Sequence, residues 1–131
     1  MSQELWVLIY AVILGLFQIM LAACWPLTRP GYSDWNAGPR DKPFDLGPVA
    51  GRLRRAYKNF LETFAFFAVI VICLNFAAKS DGISIGGAWL YLVARIIYIP
   101  LYGWGVKGPR SVAFIASLIG MSMCLWTLLF R

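Results

Sequence analysis

Apolar residues dominate four stretches of this chain, and short segments rich in charge, proline and glycine separate them. The stretches cover about residues 5–25, 52–78, 85–104 and 111–130, the second with a polar entry. Each approaches the roughly 20 residues that a helix needs to cross about 30 Å of hydrocarbon, and none alternates like a membrane β-strand. The pattern predicts an all-α integral membrane protein. We expect a single domain, residues 1–131, folded as an up-down four-helix transmembrane bundle with a long loop at 26–51.

The composition agrees with a lipid environment and excludes several kinds of chemistry. Of 131 residues, 60% are hydrophobic and 14% are charged, and the mean hydropathy is +0.69; soluble domains have about 45–50% apolar and about 25% charged residues. The chain has no histidine, which excludes His-ligated haem, most zinc and di-iron sites and every nucleophile activated by histidine. Glu62 is the only acidic residue in the four predicted segments. Cys24, Cys73 and Cys124 lack a paired spacing, so we expect neither a disulfide framework nor a metal site.

The basic residues predict how the chain is oriented in the membrane. Nine of the twelve lie in or beside the first and third loops: Arg29, Arg40, Lys42, Arg52, Arg54, Arg55, Lys58, Lys107 and Arg110. The positive-inside rule then places both loops in the cytoplasm and both termini outside, in the inner or cell membrane if the source is bacterial. The formal charge of +6 therefore indicates a cytoplasmic rim that contacts anionic membrane lipids, with no role in binding nucleic acid.

Polar residues form one stripe on the second segment and another on the third. The first stripe is Arg52, Arg55, Asn59 and Glu62, and the second is Tyr91, Arg95, Tyr98 and Tyr102. Spacings of three and four residues place each set on one face of a helix. Because polar groups are costly in a membrane and usually face a bundle interior or a wet cavity, both stripes indicate a functional site.

Glu62 and Arg95 are predicted to lie at the same depth. Each is about ten residues from opposite ends of neighbouring antiparallel helices, which corresponds to about 15 Å from the surface. We expect an ion pair between them, because an unpaired charge at this depth would be costly. Contact with a ligand is the alternative for Glu62.

The other members of the stripes converge on the cytoplasmic rim. Several hydrogen-bond donors meet there: Arg52, Arg55, Asn59, Tyr98, Tyr102, Lys107, Arg110 and Ser111. Guanidinium groups match carboxylates, so this pocket suits a small polyanionic ligand with amide and carboxylate groups. For Arg52 and Arg54, extension to the membrane surface is an equal alternative.

These residues also carry a resemblance to a known family. The run from Arg52 to Thr63 resembles the R-x-x-R-A-x-x-N-x-x-E signature of the MAPEG family, the membrane-associated proteins in eicosanoid and glutathione metabolism. Ala94-Arg95-x-x-Tyr98-x-x-x-Tyr102 and Arg110-Ser111 are similar to other motifs of that family. The resemblance extends from about Arg52 to the C-terminus.

The resemblance implies a homotrimer that binds glutathione between neighbouring subunits near the cytoplasmic side. It implies that the second segment of one chain contacts glutathione through Arg55, Asn59 and Glu62, and that the third segment of the adjacent chain contacts it through Tyr98 and Tyr102. With the rim residue Arg52, these residues form the predicted cofactor-binding set. Arg110, with Ser111 beside it, corresponds to the catalytic arginine that holds the sulfur as a thiolate. A cation beside a thiol lowers its pKa, and the thiolate is the nucleophile. The implied activity is that of a glutathione transferase or peroxidase acting on a lipophilic electrophile or a lipid hydroperoxide.

Three departures from the family pattern keep a second function open. Tyr57 stands where members often have His or Gln, Ala65 where a proline is common, and the interval from Tyr102 to Arg110 is one residue short of a prostaglandin-synthase-like member. The alternative is a catalytically silent structural or binding subunit of a larger membrane complex. The second substrate, and whether Arg29 or Arg40 reaches the ligand, stay open. Loop residues 36–41 contain Gly and Pro and predict a turn.

Overall fold

The computed structural model describes all 131 residues and consists of helices without any strand. Four helices are long and apolar enough to cross a membrane: α1 (Gln3–Cys24), α3 (Pro48–Phe76), α4 (Gly82–Gly103) and α5 (Gly108–Phe130). Between α1 and α3, the chain forms a 3-10 turn (Trp25–Thr28) and a short helix, α2 (Tyr32–Ala37). The predicted all-α, four-helix membrane fold is confirmed, and the chain is a multi-pass membrane protein.

Each long helix begins a few residues before the apolar run that predicts it. α1 begins at Gln3 because the Ser2 hydroxyl accepts a hydrogen bond from the Leu5 N–H. α4 begins at Gly82, three residues before the predicted start. Asp81 and Ser84 form a capping box there, in which the side chain of each residue accepts a hydrogen bond from the backbone N–H of the other. α3 and α5 begin near prolines, Pro48 being the first residue of α3, and proline is favoured in the first turn. Caps and prolines, rather than hydrophobicity, therefore set these boundaries.

The long loop contains a short helix that the sequence pattern did not predict. α2 ends at Ala37 and Gly38 caps it, so the turn expected at 36–41 begins two residues late. Tyr32 and Trp35 pack against Phe44, with ring centroids 5.7 and 5.5 Å away. The Trp35 Nε1–H donates to the Lys42 carbonyl at 2.6 Å. This aromatic cluster folds the loop back on itself.

α3 and α4 lie at the centre of the bundle and each contacts all the other long helices, with α1 and α5 on either side. Trp89, near the start of α4, donates to Gln3 at the start of α1, and Lys79 donates to the Leu128 carbonyl near the end of α5. α1 and α4 therefore run in one direction and α3 and α5 in the other. We call the end with both chain termini the terminal end, and the opposite end the loop end.

α4 and α5 pack most closely, and two glycines make this possible. A Cβ on Gly87 would lie 2.6 Å from the Gly120 carbonyl oxygen, and a Cβ on Gly120 would lie 2.7 Å from the Tyr91 backbone nitrogen. Real Cβ atoms do not approach backbone atoms this closely. The two helix backbones are therefore in direct contact near the terminal end.

A hydrogen-bonded network closes the terminal end. Glu4 is 1% exposed, and its carboxylate accepts hydrogen bonds from the hydroxyls of Ser80, at 2.7 Å, and Ser84. Asp81 accepts from the Thr127 hydroxyl at 2.9 Å and from Arg131 Nε at 3.1 Å. The membrane-spanning helices thus contain a second acidic residue, Glu4, which the predicted start of the first segment had left outside.

Candidate functional site

A polar cleft of about 380 Å³ opens between α3, α4 and α5 towards the loop end. Its lining residues are Asn59, Tyr98, Tyr102, Arg110, Ser111, Phe114 and Ile115. Five of these, all but Phe114 and Ile115, were predicted as site residues from the sequence. The volume falls within the usual range for small-molecule sites, about 300–1,000 Å³.

Helical periodicity explains why these side chains meet. Tyr98 and Tyr102 are four residues apart on α4, so they lie one above the other on the same face. On α5, Phe114 and Ile115 follow Arg110 and Ser111 by four residues and therefore share a face with them. The cleft is thus a place where one face of α4 and one face of α5 meet the edge of α3.

Two arginines and three aromatic rings form a continuous column that begins in the cleft and extends into the interior of the bundle. Arg110 Cζ lies 4.7 Å from the Tyr102 ring centre, and the Tyr102 and Tyr98 rings are 5.5 Å apart. Below Tyr98, Arg95 Cζ lies 4.3 Å from its ring centre and 5.8 Å from that of Phe60. These distances lie within the range of cation–π attraction, about 6 Å. We call these five residues the cation–aromatic column.

No acidic residue lines the cleft. Arg110 is half-buried and forms no ion pair within the chain. Ser111 is exposed beside it, and its hydroxyl donates to the Lys107 carbonyl at 3.3 Å, which leaves the lone pairs of its oxygen free. The Asn59 amide oxygen is buried without a hydrogen-bond partner. The cleft therefore offers a positive charge with no internal counter-charge, as a site for an anionic ligand requires.

Three of the predicted site residues do not line this cleft. The Arg52 guanidinium lies against Gly105, where an added Cβ would be 3.2 Å from its Cζ. Arg55 is exposed and folds back along α3 towards Gly51. Glu62 is also exposed on the surface of α3. Within one chain, the polar stripe of α3 therefore contributes only Asn59 to the cleft.

The expected ion pair between Glu62 and Arg95 does not form within the chain. The only salt bridges join Arg29 to Asp45 and Arg131 to Asp81. Arg95 is 1% exposed and lies between aromatic rings, whereas Glu62 projects from the bundle surface. Helix rise gives the depth of Glu62 but not the direction it faces, and the rotation of α3 about its own axis places Glu62 on the bundle surface.

Two interior residues outside the cleft lining were not predicted from the sequence. Phe60 stacks on Arg95, and Gln18 of α1 is buried with its amide nitrogen unpaired. Apart from Glu4 near its start, Gln18 is the only buried polar side chain of α1, and a single amide within an apolar segment is a signal that could have been used. Phe60 looks like any other apolar residue of its segment, so no sequence signal distinguishes it.

The fold and the cleft define a four-helix membrane protein with a positively charged site between its helices. The chain belongs to the MAPEG family, whose model matches residues 5–130. The family is one of helical membrane bundles and includes glutathione-dependent transferases and peroxidases. No curated protein and no solved structure matches the chain significantly.

Proposed function

We propose that this protein is a glutathione-dependent membrane enzyme that activates the glutathione thiolate. The observation that carries the proposal is Arg110, held against Tyr102 in a cleft that contains no acidic residue. A fixed cation beside a bound thiol favours the ionised sulfur, and the thiolate is the nucleophile. Membership in a family that includes glutathione-dependent enzymes supports the same conclusion.

The chemistry requires few groups from the protein, because glutathione supplies the sulfur. In conjugation, the thiolate forms a carbon–sulfur bond with an electrophilic carbon, and the leaving group departs with the electron pair of its bond. In hydroperoxide reduction, the thiolate attacks the terminal peroxide oxygen and an alkoxide leaves; a second glutathione then converts the sulfenic acid to a disulfide and water. Arg110 stabilises the thiolate in either reaction, and the Ser111 hydroxyl lies beside it. A catalytic cysteine or histidine is not needed.

The peptide part of glutathione is proposed to bind in the cleft and to be completed by a second copy of the chain. Asn59, Tyr98 and Tyr102 supply amide and hydroxyl groups from the cleft. Arg52, Arg55 and Glu62 are proposed to contact glutathione at a contact between subunits of a homotrimer. Exposure of Glu62 on a membrane-spanning helix supports this, since a carboxylate facing lipid would be costly.

The second substrate is proposed to be lipophilic and to enter from the bilayer. Phe114 and Ile115 give the cleft an apolar wall, and Ile115 is 55% exposed on the bundle surface. An apolar electrophile dissolved in lipid can therefore reach the cleft sideways. The basic residues around the loop end support a cytoplasmic position for that end, where glutathione would enter from water.

The test is titration of purified wild-type protein in detergent with glutathione, following heat release and the ultraviolet absorbance of the thiolate. We expect binding together with thiolate formation near neutral pH. Arg110→Met should abolish the thiolate signal and lower turnover of a chlorodinitrobenzene substrate while binding persists. Lys58→Met is the matched control, because it removes an exposed positive charge of α3 that lies outside the cleft lining, and it should change neither signal.

Failure of the wild-type protein to bind glutathione would overturn the proposal and favour the silent-subunit alternative. Binding without thiolate formation would keep glutathione as a ligand but contradict the role given to Arg110. These two outcomes are separated because heat release reports binding and absorbance reports ionisation of the sulfur.

A further inference from the structure

Arg95 is a charged side chain buried in the membrane-spanning part of the bundle without any hydrogen-bond partner. It is 1% exposed, and Nε and both terminal nitrogens of its guanidinium are unpaired. Its Cζ lies over the Phe60 and Tyr98 rings, which attract the cation but do not replace the hydrogen-bond acceptors that its five N–H groups require. Buried polar groups are nearly always paired in folded proteins, so this exception calls for a physical explanation.

Within one chain, no helix places a carboxylate in contact with the Arg95 guanidinium. α3 contributes Phe60 and Asn59, while its carboxylate, Glu62, is at the surface. α4 contributes Tyr91 and Tyr98, and the Tyr91 hydroxyl is hydrogen-bonded with Thr63 at 3.1 Å. The charged group that α5 brings to this side is another cation, Arg110.

α1 adds a further unpaired donor at about the same depth. Glu4 of α1 contacts Ser84 of α4, and the two helices run in the same direction. Gln18 lies fourteen residues after Glu4, and Tyr98 lies fourteen residues after Ser84. Gln18 and Tyr98 are therefore at about the same depth. The Gln18 amide nitrogen is buried and unpaired. The unpaired donors at this level therefore outnumber the single unpaired acceptor, Asn59 Oδ1.

The cation–aromatic column brings this buried charge close to the cleft. Arg95 Cζ is 4.3 Å from the Tyr98 ring centre, which is 5.5 Å from that of Tyr102. The charge is thus no more than about 10 Å from the Tyr102 ring centre, and Arg110 contacts the same ring. At an effective dielectric constant of about 20, a unit charge at about 10 Å changes the ionisation equilibrium of an anion by about tenfold.

We propose that Arg95 is a positioning residue whose charge is left unpaired by the fold so that an anion bound in the cleft becomes its counter-charge. Arg95 does not touch that anion, since Tyr98 lies between them. It favours the anion through space, adding to the direct effect of Arg110. The inference deepens the proposed function, since the anion is the glutathione thiolate.

This arrangement has a consequence for the empty protein. An unpaired buried cation destabilises the fold, and part of that penalty is relieved when an anion binds nearby. Removing the charge should therefore stabilise the ligand-free protein and weaken ionisation of the bound thiol. A purely structural role for Arg95 predicts the opposite change in stability.

The experiment compares Arg95→Met, which removes the charge and keeps much of the side-chain length, with Arg95→Lys, which keeps the charge. The first measurement is the pH titration of thiolate absorbance at saturating glutathione. We expect Arg95→Met to raise the midpoint by about one pH unit and Arg95→Lys to leave it near the wild-type value. Lys58→Met, which removes an exposed charge from α3, is the matched control and should leave the midpoint unchanged, because water and salt screen it.

The second measurement is the melting temperature without ligand and with S-methylglutathione, which binds as a peptide but has no thiol. Arg95→Met should melt above the wild type without ligand, and its affinity for S-methylglutathione should fall less than its affinity for glutathione. Arg95→Gln, a second neutral variant with a polar side chain, should show the same two changes.

An unchanged thiolate midpoint in the neutral variant would overturn the inference while the proposed function stands. A ligand-free melting temperature at or below that of the wild type would also overturn it, because the charge would then be paired in the empty protein. Failure of the wild type to bind glutathione would overturn both, and the binding experiment on unmodified protein detects this outcome separately.

Discussion

Replacing Gly87 by alanine should separate α4 from α5 and destabilise the bundle. A Cβ at Gly87 would lie 2.6 Å from the Gly120 carbonyl oxygen, 2.7 Å from Met123 Cβ and 3.3 Å from the Cys124 backbone nitrogen. None of these atoms can move by a side-chain rotation, so the helices themselves must shift. Inserting a methyl group into such a packed contact costs about 1–3 kcal/mol.

Gly86 provides an unusually close control for this prediction. It is the neighbouring residue in α4, but a Cβ there would meet only the flexible Met123 Cε, at 3.8 Å, which is ordinary van der Waals contact. Both substitutions gain the higher helix propensity of alanine, worth about 1 kcal/mol in water. The difference between the two variants therefore isolates the helix contact and should be about 1–3 kcal/mol.

The assay is reversible chemical unfolding in detergent micelles, followed by circular dichroism for the wild type and both variants. Gly87→Ala should show the lower free energy of unfolding, and Gly86→Ala should match or exceed the wild type. Equal unfolding free energies for the two variants would refute the close backbone contact of α4 and α5 described above.

Four further outcomes are expected. The pKa of Asp81 lies below its ordinary value of 3.8, chiefly because the Ser84 N–H donates to its carboxylate. The stability this gives is complete above about pH 4 and is lost as the pH falls through the lowered pKa, so Asp81→Asn should flatten the decline in melting temperature below about pH 4. Glu4→Ala should lower the free energy of unfolding by about 1–3 kcal/mol because it removes the hydrogen bonds that the buried carboxylate accepts from Ser80 and Ser84, while exposed Gln3→Ala should change chemical denaturation little. Native mass spectrometry in several detergents should show trimers, and monomers in every detergent would contradict the shared site. Arg55→Ala should raise the Kd for glutathione without lowering thiolate absorbance at saturation, as measured by calorimetry and ultraviolet titration.

The number and type of helices could be predicted because hydrophobic length alone decides which segments span a bilayer. The boundaries depended on smaller signals. Asp81 and Ser84 cap α4 through reciprocal hydrogen bonds. This capping pair can be predicted from the sequence only when the polar residues before an apolar run are included in the helix. α2 is six residues long and is stabilised by aromatic contacts across the loop, which no local pattern encodes.

The candidate site could be predicted where helical spacing was sufficient and not where helix rotation mattered. Asn59, Tyr98 and Arg110 meet as their spacing indicated. Two stripes compete on α3, one polar and one formed by Ala56, Phe60, Thr63 and Phe67, and the second faces the interior. Glu62 adjoins Thr63 and is rotated out of that interior stripe. The sequence gives the depth of a residue from the helix rise, but the facing direction follows from packing among all four helices.

The contrast between the two ends of the bundle bears on how the protein fluctuates and how it can be engineered. At the terminal end, Glu4 and Asp81 have their hydrogen bonds satisfied, whereas at the loop end Asn59 and Arg95 retain unpaired atoms. Amide hydrogen exchange should therefore be slowest near the terminal end, and local opening should begin at the loop end. Stabilising substitutions at the terminal end should raise the melting temperature with little loss of the proposed activity. Substitutions that neutralise the unpaired groups at the loop end should also raise the melting temperature, but should lower that activity.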